Sequence, residues 1–364
     1  MSIRNLVVSL MCLWAGLPVV AQENSPSSAD HIASGELSLE RGDCSFAQYF
    51  FQEALKLEPE NFDAMIGKGR ALVCQRAYET GVEEFVRVLE LDPNNVRARL
   101  HLARAYQEQH ASDPARYPER LAEALAAIEA AEGLAPSDAE VLNQKGVILF
   151  LQGDAESARG ALERAASQSG PLRAPDQATI QVNLGKAYRE LGRLEDALQA
   201  FRRAVSLNPA SASAHNNVGD TYFRLGDCES AIYELTQATN LNPNLLDAAS
   251  NLAIAMFECG QVEASLPRFE AAIAIPGSIN LPPLYTYVSR IYAQLGRFDD
   301  AVRRAQQGAL LPPSSADAYF YLGQAYEARG GAGDATNARD AYQKALELDE
   351  GYSPAREALA RVGQ

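Results

Sequence analysis

Three asparagines stand at equal intervals along this chain of 364 residues and could bind a ligand. Asn183, Asn217 and Asn251 are each 34 residues from the next. An asparagine amide both donates and accepts hydrogen bonds, so three equally spaced amides could form a ladder along the backbone of an extended peptide. The alternative is that each amide bonds only within the protein itself. The spacing leaves both interpretations open.

Residue patterns typical of catalysis do not occur in the sequence. The histidines His31, His101, His110 and His215 are scattered, and none lies in an HExxH motif. The sequence also lacks a GxSxG motif and a phosphate loop, and the glycine-rich stretch 330–333 is not followed by Lys-Ser/Thr. No histidine or second cysteine stands at a spacing suited to zinc. We therefore expect no catalytic residue, no metal and no cofactor, and a protein that is not an enzyme.

The composition indicates a helical, acidic protein. The chain has 47 acidic and 32 basic residues, a formal net charge of -15. A protein that binds nucleic acid normally carries a basic face, so nucleic acid is not an expected partner. Alanine is abundant and runs of valine, isoleucine and threonine are few, which favours helices over strands.

The first residues predict export. Arg4 precedes an apolar run from Leu6 to Val20, and small residues stand before Ala21, so residues 1–21 have the pattern of a cleaved signal peptide. The alternative is an uncleaved anchor, but the run is shorter than the roughly 20 residues that a membrane span needs. We expect residues 22–27 to be a flexible polar segment. The mature protein is then periplasmic or secreted, without a transmembrane segment.

One residue pattern repeats with a period of 34 residues. The first copy comprises Gly185, Tyr188, Gly192, Ala197, Phe201, Ala204 and Pro209, and the second comprises Gly219, Tyr222, Gly226, Ala231, Leu235, Ala238 and Pro243. A period of this length indicates stacked units, each of which packs on its neighbours. Within one copy, apolar residues at helical spacing on both sides of Gly192 predict two antiparallel helices. We expect Gly185 and Ala197 to let these helices approach closely.

Nine repeats and a terminal helix account for most of the chain. We place the repeats at 28–61, 62–95, 96–138, 139–172, 178–211, 212–245, 246–279, 282–315 and 316–352, and a capping helix at 353–364. Repeat three carries extra residues around Asp113-Pro114, and repeat nine carries a glycine-rich insertion at 330–336. The spacer at 173–177 could separate repeats one to four (28–172) from repeats five to nine (173–352).

These residues resemble the tetratricopeptide repeat family. The family's small and large consensus positions are occupied here by Leu184, Gly185, Tyr188, Ala197, Phe201, Ala204 and Pro209. The resemblance extends over nearly all of the mature chain. It implies an all-α fold, an α-solenoid in which about nine helix-turn-helix units form a right-handed superhelix. It also implies a concave groove that binds proteins or peptides.

The resemblance further implies which residues line that groove, because in this family the first helix of each repeat faces the concave side. The implied peptide-binding residues are Asn183, Asn217, Asn251, Lys186, Asp220, Phe223, Phe257, Tyr287, Arg290 and Tyr321. This mixture suits a peptide with both charged and apolar side chains. The clamp that some relatives use for a C-terminal carboxylate is not evident, because Lys186 has no basic counterpart one or two repeats later.

Four cysteines remain once the signal peptide, which contains Cys12, is removed. Cys44 and Cys228 stand at the start of a second helix, and Cys74 and Cys259 stand near the end of the next repeat's first helix. These two places are adjacent in a stack of antiparallel helices, and disulfides persist in an oxidising compartment. We therefore predict the disulfides Cys44–Cys74 and Cys228–Cys259. The alternative is that cysteine serves as a small apolar residue at helix contacts.

The favoured function is an exported scaffold that binds a peptide or protein segment in the groove of repeats five to nine. The alternative is a structural assembly subunit of a cell-envelope or secretion complex that uses its convex face or its ends. In that case the insertion in repeat three, or the aromatic residues of repeat one (Phe46, Tyr49, Phe50 and Phe51), would form the contacts.

Overall fold

The computed structural model describes residues 26–170, 172–277, 281–312 and 315–362. Within these ranges the chain forms nineteen α-helices and no strand. The predicted all-α, α-solenoid fold is therefore confirmed. The predicted signal peptide at 1–21 lies outside the described residues, as do residues 22–25 of the segment expected to be flexible.

The chain forms two compact units, one that ends at Gln152 and one that begins at Gly153. The helices of the first compact unit are α1 (Ser28–Glu40), α2 (Cys44–Leu57), α3 (Phe62–Cys74), α4 (Tyr78–Leu91), α5 (Val96–Ser112), α6 (Arg120–Leu134) and α7 (Ala139–Leu151). Consecutive helices pack on each other, and each predicted repeat in this unit contributes one pair or the first member of a pair.

The second compact unit contains twelve helices among its described residues. They are α8 (Ala155–Gln168), α9 (Ala174–Glu190), α10 (Leu194–Leu207), α11 (Ala212–Arg224), α12 (Cys228–Leu241), α13 (Leu246–Glu258), α14 (Val262–Ala274), α15 (Pro282–Gln294), α16 (Phe298–Leu310), α17 (Ala316–Arg329), α18 (Asp334–Leu348) and α19 (Ser353–Val362). The last of these packs on α18, the position expected for a capping helix.

The boundary between the compact units does not fall at the spacer 173–177. The predicted spacer is largely helical, because α9 begins at Ala174. Helix α8 packs on α9, and the Tyr188 hydroxyl donates a hydrogen bond of 2.7 Å to Glu163 of α8. Helix α8 therefore groups with the helices that follow it. The division of the repeats into 28–172 and 173–352 stays a prediction.

Short signals in the sequence set the ends of the helices. The side chains of Asn61, Asn95 and Ser211 each accept a hydrogen bond from the third backbone N–H of the helix that follows, which satisfies a donor that the helix leaves free. Between the helices of repeat five, Gly192 adopts a φ of 71°, a conformation that costs glycine little. Arg76 holds the corresponding conformation in repeat two with a φ of 63°.

Inside the hairpins, a large side chain of the second helix packs against a small residue of the first helix. Phe201 of α10 is fully buried, and its ring lies where a Cβ atom on Gly185 would come within 2.5 Å of Cε1. Leu235 lies over Gly219 in the same way in the next repeat. In repeat eight Ser289 replaces the glycine, and its hydroxyl donates a buried hydrogen bond of 2.8 Å to the Ala301 carbonyl.

The two insertions are held by polar contacts. In repeat three, Glu79 accepts hydrogen bonds from the Tyr117 hydroxyl at 3.0 Å and from the Gln109 amide at 2.9 Å. In repeat nine, Asp334 accepts bonds of 2.9 and 2.7 Å from Arg329 and one of 2.8 Å from the backbone N–H of Gly331. Each insertion is therefore anchored to the helices beside it.

The four cysteines lie in two pairs at disulfide distance. The Cα atoms of Cys44 and Cys74 are 5.8 Å apart, and those of Cys228 and Cys259 are 5.9 Å apart. Each pair joins the start of one repeat's second helix to the end of the next repeat's first helix, as predicted. In the described part of the chain, no helix has the length and apolar character of a membrane span.

Candidate peptide-binding groove

The first helices of the repeats form one side of the second compact unit. Helix α9 contacts α11, α11 contacts α13, and α15 contacts α17. A cavity of about 460 Å³ opens on this side among α9, α11 and α13. Its lining comprises Lys186, Arg189, Ser213, Asn216, Asn217, Asp220, Arg224, Asp247, Ser250, Asn251 and Leu281. The structure thus brings together the predicted residues Lys186, Asn217, Asp220 and Asn251.

An ion network occupies the middle of this cavity. Arg189 donates a hydrogen bond of 2.8 Å to the Asp220 carboxylate, and Arg224 donates another of 3.0 Å to the same oxygen. Only 15% of the Asp220 side chain is exposed. Because two guanidinium groups already neutralise it, Asp220 acts chiefly as an internal counter-ion.

Asn217 takes part in the same internal network. Its amide donates to the Ser213 carbonyl at 2.9 Å, its oxygen accepts from Arg189 at 3.4 Å, and 5% of the residue is exposed. These bonds correspond to the alternative in which an asparagine bonds only within the stack. Asn183 is half-buried and also has a partner. The three-amide ladder stays a prediction.

A second pair of amides faces the same cavity. Asn251 donates a hydrogen bond of 3.0 Å from its Nδ2 to the Oδ1 of Asn216. This bond uses one hydrogen of Asn251 and one lone pair of Asn216, so each amide keeps both donor and acceptor capacity for a ligand. Sequence reasoning missed Asn216. The two adjacent asparagines at 216 and 217 were the available signal, but the periodicity singled out only Asn217.

Lys186 is a half-buried cation on the cavity wall. Burial, together with the nearby Arg189 guanidinium, lowers the pKa of Lys186. Within the described residues Lys186 makes no ion pair or hydrogen bond. The buried hydroxyl oxygen of Ser250, also on the cavity wall, has no hydrogen-bond partner there either. Because the Ser250 oxygen is buried, Lys186 is the one of these two groups that can bind a ligand.

Aromatic residues and one arginine dominate the groove further along. The Arg290 guanidinium carbon lies 4.7 Å from the ring centroid of Phe257, 5.0 Å from that of Tyr287 and 5.3 Å from that of Tyr321. Burial first, and then the nearby carboxylate of Glu258, raise the pKa of Tyr287. The spacing of the repeats identified all four members of this cluster, but it did not show that the rings surround the arginine.

The two predicted phenylalanines are partly structural. Phe257 is only 5% exposed, and it packs in a buried cluster with Phe269 and Val288. Phe223 is half-buried against Leu235 and its neighbours. A ligand would therefore contact mainly the side chains that cover these two residues.

The first compact unit has a concavity of its own, to which sequence reasoning assigned no residue. About 390 Å³ in volume, it is lined in part by Arg70, His101, Arg104 and Glu108. Burial first, and then the neighbouring arginines, lower the pKa of His101 well below its usual value. Burial raises the pKa of Glu108. His101 is therefore neutral at physiological pH, and Arg70 and Arg104 are the cations of this concavity.

Comparison with known families identifies the repeat. A family model described as TPR repeat matches residues 185–226. Two further models described as Tetratricopeptide repeat match residues 115–174 and 289–353 in one case and residues 212–245 in the other. Together these matches take in more than half of the chain and fall in both compact units.

One curated protein and two solved structures are similar to this chain. The anaphase-promoting complex subunit CDC16 of Saccharomyces cerevisiae is 25% identical over 186 residues, which are 50% of this chain and 21% of that protein. The chain thus spans about a fifth of the length of this curated relative.

The crystal structure of the anaphase-promoting complex hetero-tetramer Cut9-Hcn1 matches 96% of this chain and 79% of its own, at 13% identity and a TM-score of 0.57. A monomeric mutant of IFIT1 with Gppp-AAAA matches 90% of this chain and 79% of its own, at 16% identity and a TM-score of 0.61. At these identities the likeness shows the fold alone.

Proposed function

Because this chain belongs to the tetratricopeptide repeat superfamily, whose members are protein-interaction scaffolds, we propose that it binds an extended segment of a partner protein or peptide. The segment lies along α9, α11, α13, α15 and α17 in the second compact unit. It is held by hydrogen bonds, charge and shape, and no covalent bond is made or broken. The fold is typical of scaffolds without catalytic activity.

The main support is the polar cavity among α9, α11 and α13. It offers the Asn216–Asn251 amide pair and the Lys186 ammonium, both with unused hydrogen-bonding capacity. These groups are half-buried, so water reaches them incompletely. The backbone carbonyls and N–H groups of an extended peptide would supply the missing partners. The aromatic residues further along would contact its apolar side chains.

We further propose that the protein is exported and works as a periplasmic or secreted scaffold. The signal pattern at 1–21 and the two cysteine pairs at disulfide distance both support an oxidising compartment. We also propose that it takes part in a cell-envelope assembly, which is compatible with this location.

The amide pair provides the test. Peptides selected from a random display library on the wild-type mature protein are measured again on a double variant, Asn216→Ala with Asn251→Ala. We expect the affinity to fall about tenfold, because two hydrogen bonds that each contribute about 0.5–1.5 kcal/mol are lost. Asn240→Ala, an exposed asparagine on α12, serves as the control and should leave the affinity unchanged. Undiminished binding by the double variant would remove the amide pair from the proposed function.

One observation favours the alternative, an assembly subunit that uses an end of the stack. Phe46 and Tyr49 on α2 are 66% and 53% exposed, and such large exposed aromatic side chains are common at protein interfaces. If this alternative holds, Phe46→Ser with Tyr49→Ser releases the partner that co-purifies with the protein. The groove variant then retains that partner. The variant that loses its partner therefore shows which of the two functions is correct.

A further inference from the structure

We propose that the segment bound in the groove carries a carboxylate that seats on the guanidinium of Arg290, next to an apolar side chain. This inference rests on the proposed function and names the chemistry of the ligand. Arg290 lies where two cavities meet, one of about 400 Å³ and one of about 460 Å³, and Tyr321 lines both of them as well.

Three aromatic rings surround the guanidinium. Phe257, Tyr287 and Tyr321 all lie within 5.3 Å of its central carbon, measured to the ring centroids. Rings at these distances attract the cation and hold it in place. The N–H edges of the guanidinium are the part that can donate hydrogen bonds to a ligand.

Those edges lack hydrogen bonds. Arg290 forms an ion pair with Glu258 at 3.6 Å, which is too long for a hydrogen bond, and it donates no hydrogen bond within the described residues. Only 31% of the Arg290 side chain is exposed, so water reaches the edges incompletely. An arginine offers five N–H donors in a fixed fork, and here that fork is positioned but unused.

The other charged groups around the two cavities all have hydrogen-bond partners. Arg361 donates a hydrogen bond of 2.8 Å to Glu327, and Tyr352 donates its hydroxyl hydrogen to Asp317. Arg290 differs from Arg361, the other cation that lines these cavities, because it donates no hydrogen bond within the described residues. A carboxylate matches the flat guanidinium fork with two parallel hydrogen bonds.

The wall beside Arg290 indicates the neighbouring residue of the ligand. Pro282, Pro283, Tyr287 and Tyr321 line the cavity of about 400 Å³ together with Arg290. Proline and tyrosine rings give this wall a rigid, largely apolar surface. A proline, leucine or aromatic side chain beside the ligand's carboxylate would fill it.

The experiment uses four libraries of nine-residue peptides that are random except at the central position. That position is Glu or Gln, and each library is made with a free and with an amidated C-terminus. Each library is passed over the immobilised wild-type protein and over three variants, Arg290→Met, Arg290→Lys and Arg303→Met. Methionine can still pack between the aromatic rings, and circular dichroism checks that helicity is kept. Arg303 lies on α16 with 66% of its side chain exposed and is the matched control.

We expect the wild-type protein to retain the Glu libraries about tenfold better than the Gln libraries, since a bidentate charged contact is gained. Arg290→Met should abolish this preference, Arg290→Lys should reduce it, and Arg303→Met should leave it intact. A preference for the free C-terminus that Arg290→Met abolishes would also support the inference and would assign the carboxylate to the peptide's end.

Three results would overturn the inference. If the wild-type protein retains peptides but discriminates neither Glu from Gln nor acid from amide, the inference fails and the proposed function stands. The same follows if Arg290→Met keeps the preference. If the wild-type protein retains no library, the proposed function fails, and this inference fails with it.

Discussion

At the scale of single residues, the hairpins are held together by contacts between rings and glycines. The Phe201 ring fills the space that a side chain at position 185 would need, and the Tyr342 ring does the same at Gly323. Gly160 on α8 differs, since a Cβ atom added there would meet no atom within 4 Å. Glycines in helices of the same compact unit therefore serve different purposes.

The first prediction compares two of these glycines. Gly185→Ala should destabilise the protein by about 1–3 kcal/mol, because the new methyl group and the Phe201 ring compete for one space. Gly160→Ala should stabilise it by about 0.4–1 kcal/mol, because alanine is the better helix former and nothing obstructs it. Urea denaturation followed by circular dichroism measures both. Equal effects of the two changes would contradict the packing described for Gly185.

The second prediction concerns the stability of repeat nine in acid. The Arg329 guanidinium, the main cause, lowers the pKa of Asp334 to about 2, and the Gly331 backbone N–H contributes. Because the pKa of an aspartate in the unfolded chain is about 3.9, this contact stabilises the folded state fully above about pH 4. The stabilisation is lost as the pH falls towards 2. Urea midpoints measured across this range should show the loss in the wild-type protein and much less of it in Asp334→Asn.

The exposed Asp340 on the same helix supplies the control for that measurement. Asp340→Asn should follow the wild-type curve between pH 4 and 2. If Asp334→Asn also follows the wild-type curve, the contact with Arg329 does not stabilise the folded state.

Residue-level contacts in the groove were only partly predictable. The period of 34 residues places Asn217 and Asn251 at equivalent positions, yet Asn217 bonds to Ser213 and Arg189 while Asn251 reaches Asn216. Which way an amide turns depends on the neighbours supplied by the adjacent helix, and those neighbours differ between repeats. The unused fork of Arg290 depends likewise on three rings from three helices.

At the scale of helices, the sequence predicts more. Glycine after a first helix, a capping side chain before it and proline after a second helix mark the ends locally, so the helix pairs follow the predicted repeats closely. Packing between helices that are distant in sequence is set by many weak contacts. No local signal in the sequence therefore indicated that α8 groups with α9.

The third prediction concerns the cysteine pairs, each of which fastens two neighbouring repeats together. The oxidised protein should show no titratable thiol when unfolded without reductant. Replacing Cys228 and Cys259 with serine should cost about 3–4 kcal/mol, because a loop of 31 residues is no longer closed in the unfolded chain. Thiol titration and urea denaturation measure the two effects. Four reactive thiols in the unreduced mature protein would contradict the disulfides and weaken the case for export.

At the scale of the whole molecule, the chain carries two compact units, each with its own concave site. The groove of the second unit combines an amide pair with an arginine among aromatic rings, and the concavity of the first contains Arg70 and Arg104. The two sites differ in the charge that they offer a ligand, because Arg70 is already paired with Glu36 through hydrogen bonds of 2.7 and 2.9 Å. The stack of repeats thus offers more than one place for a partner.

Photocrosslinking tests the central claim, that a partner segment lies along the first helices of the second unit. A peptide selected on the wild-type protein is fitted with a benzophenone at successive positions, irradiated in complex, and the attachment sites are mapped by mass spectrometry. The account predicts crosslinks on α9, α11, α13, α15 and α17. Crosslinks confined to α10, α12, α14 and α16, or to the exposed aromatic residues of α2, would contradict it.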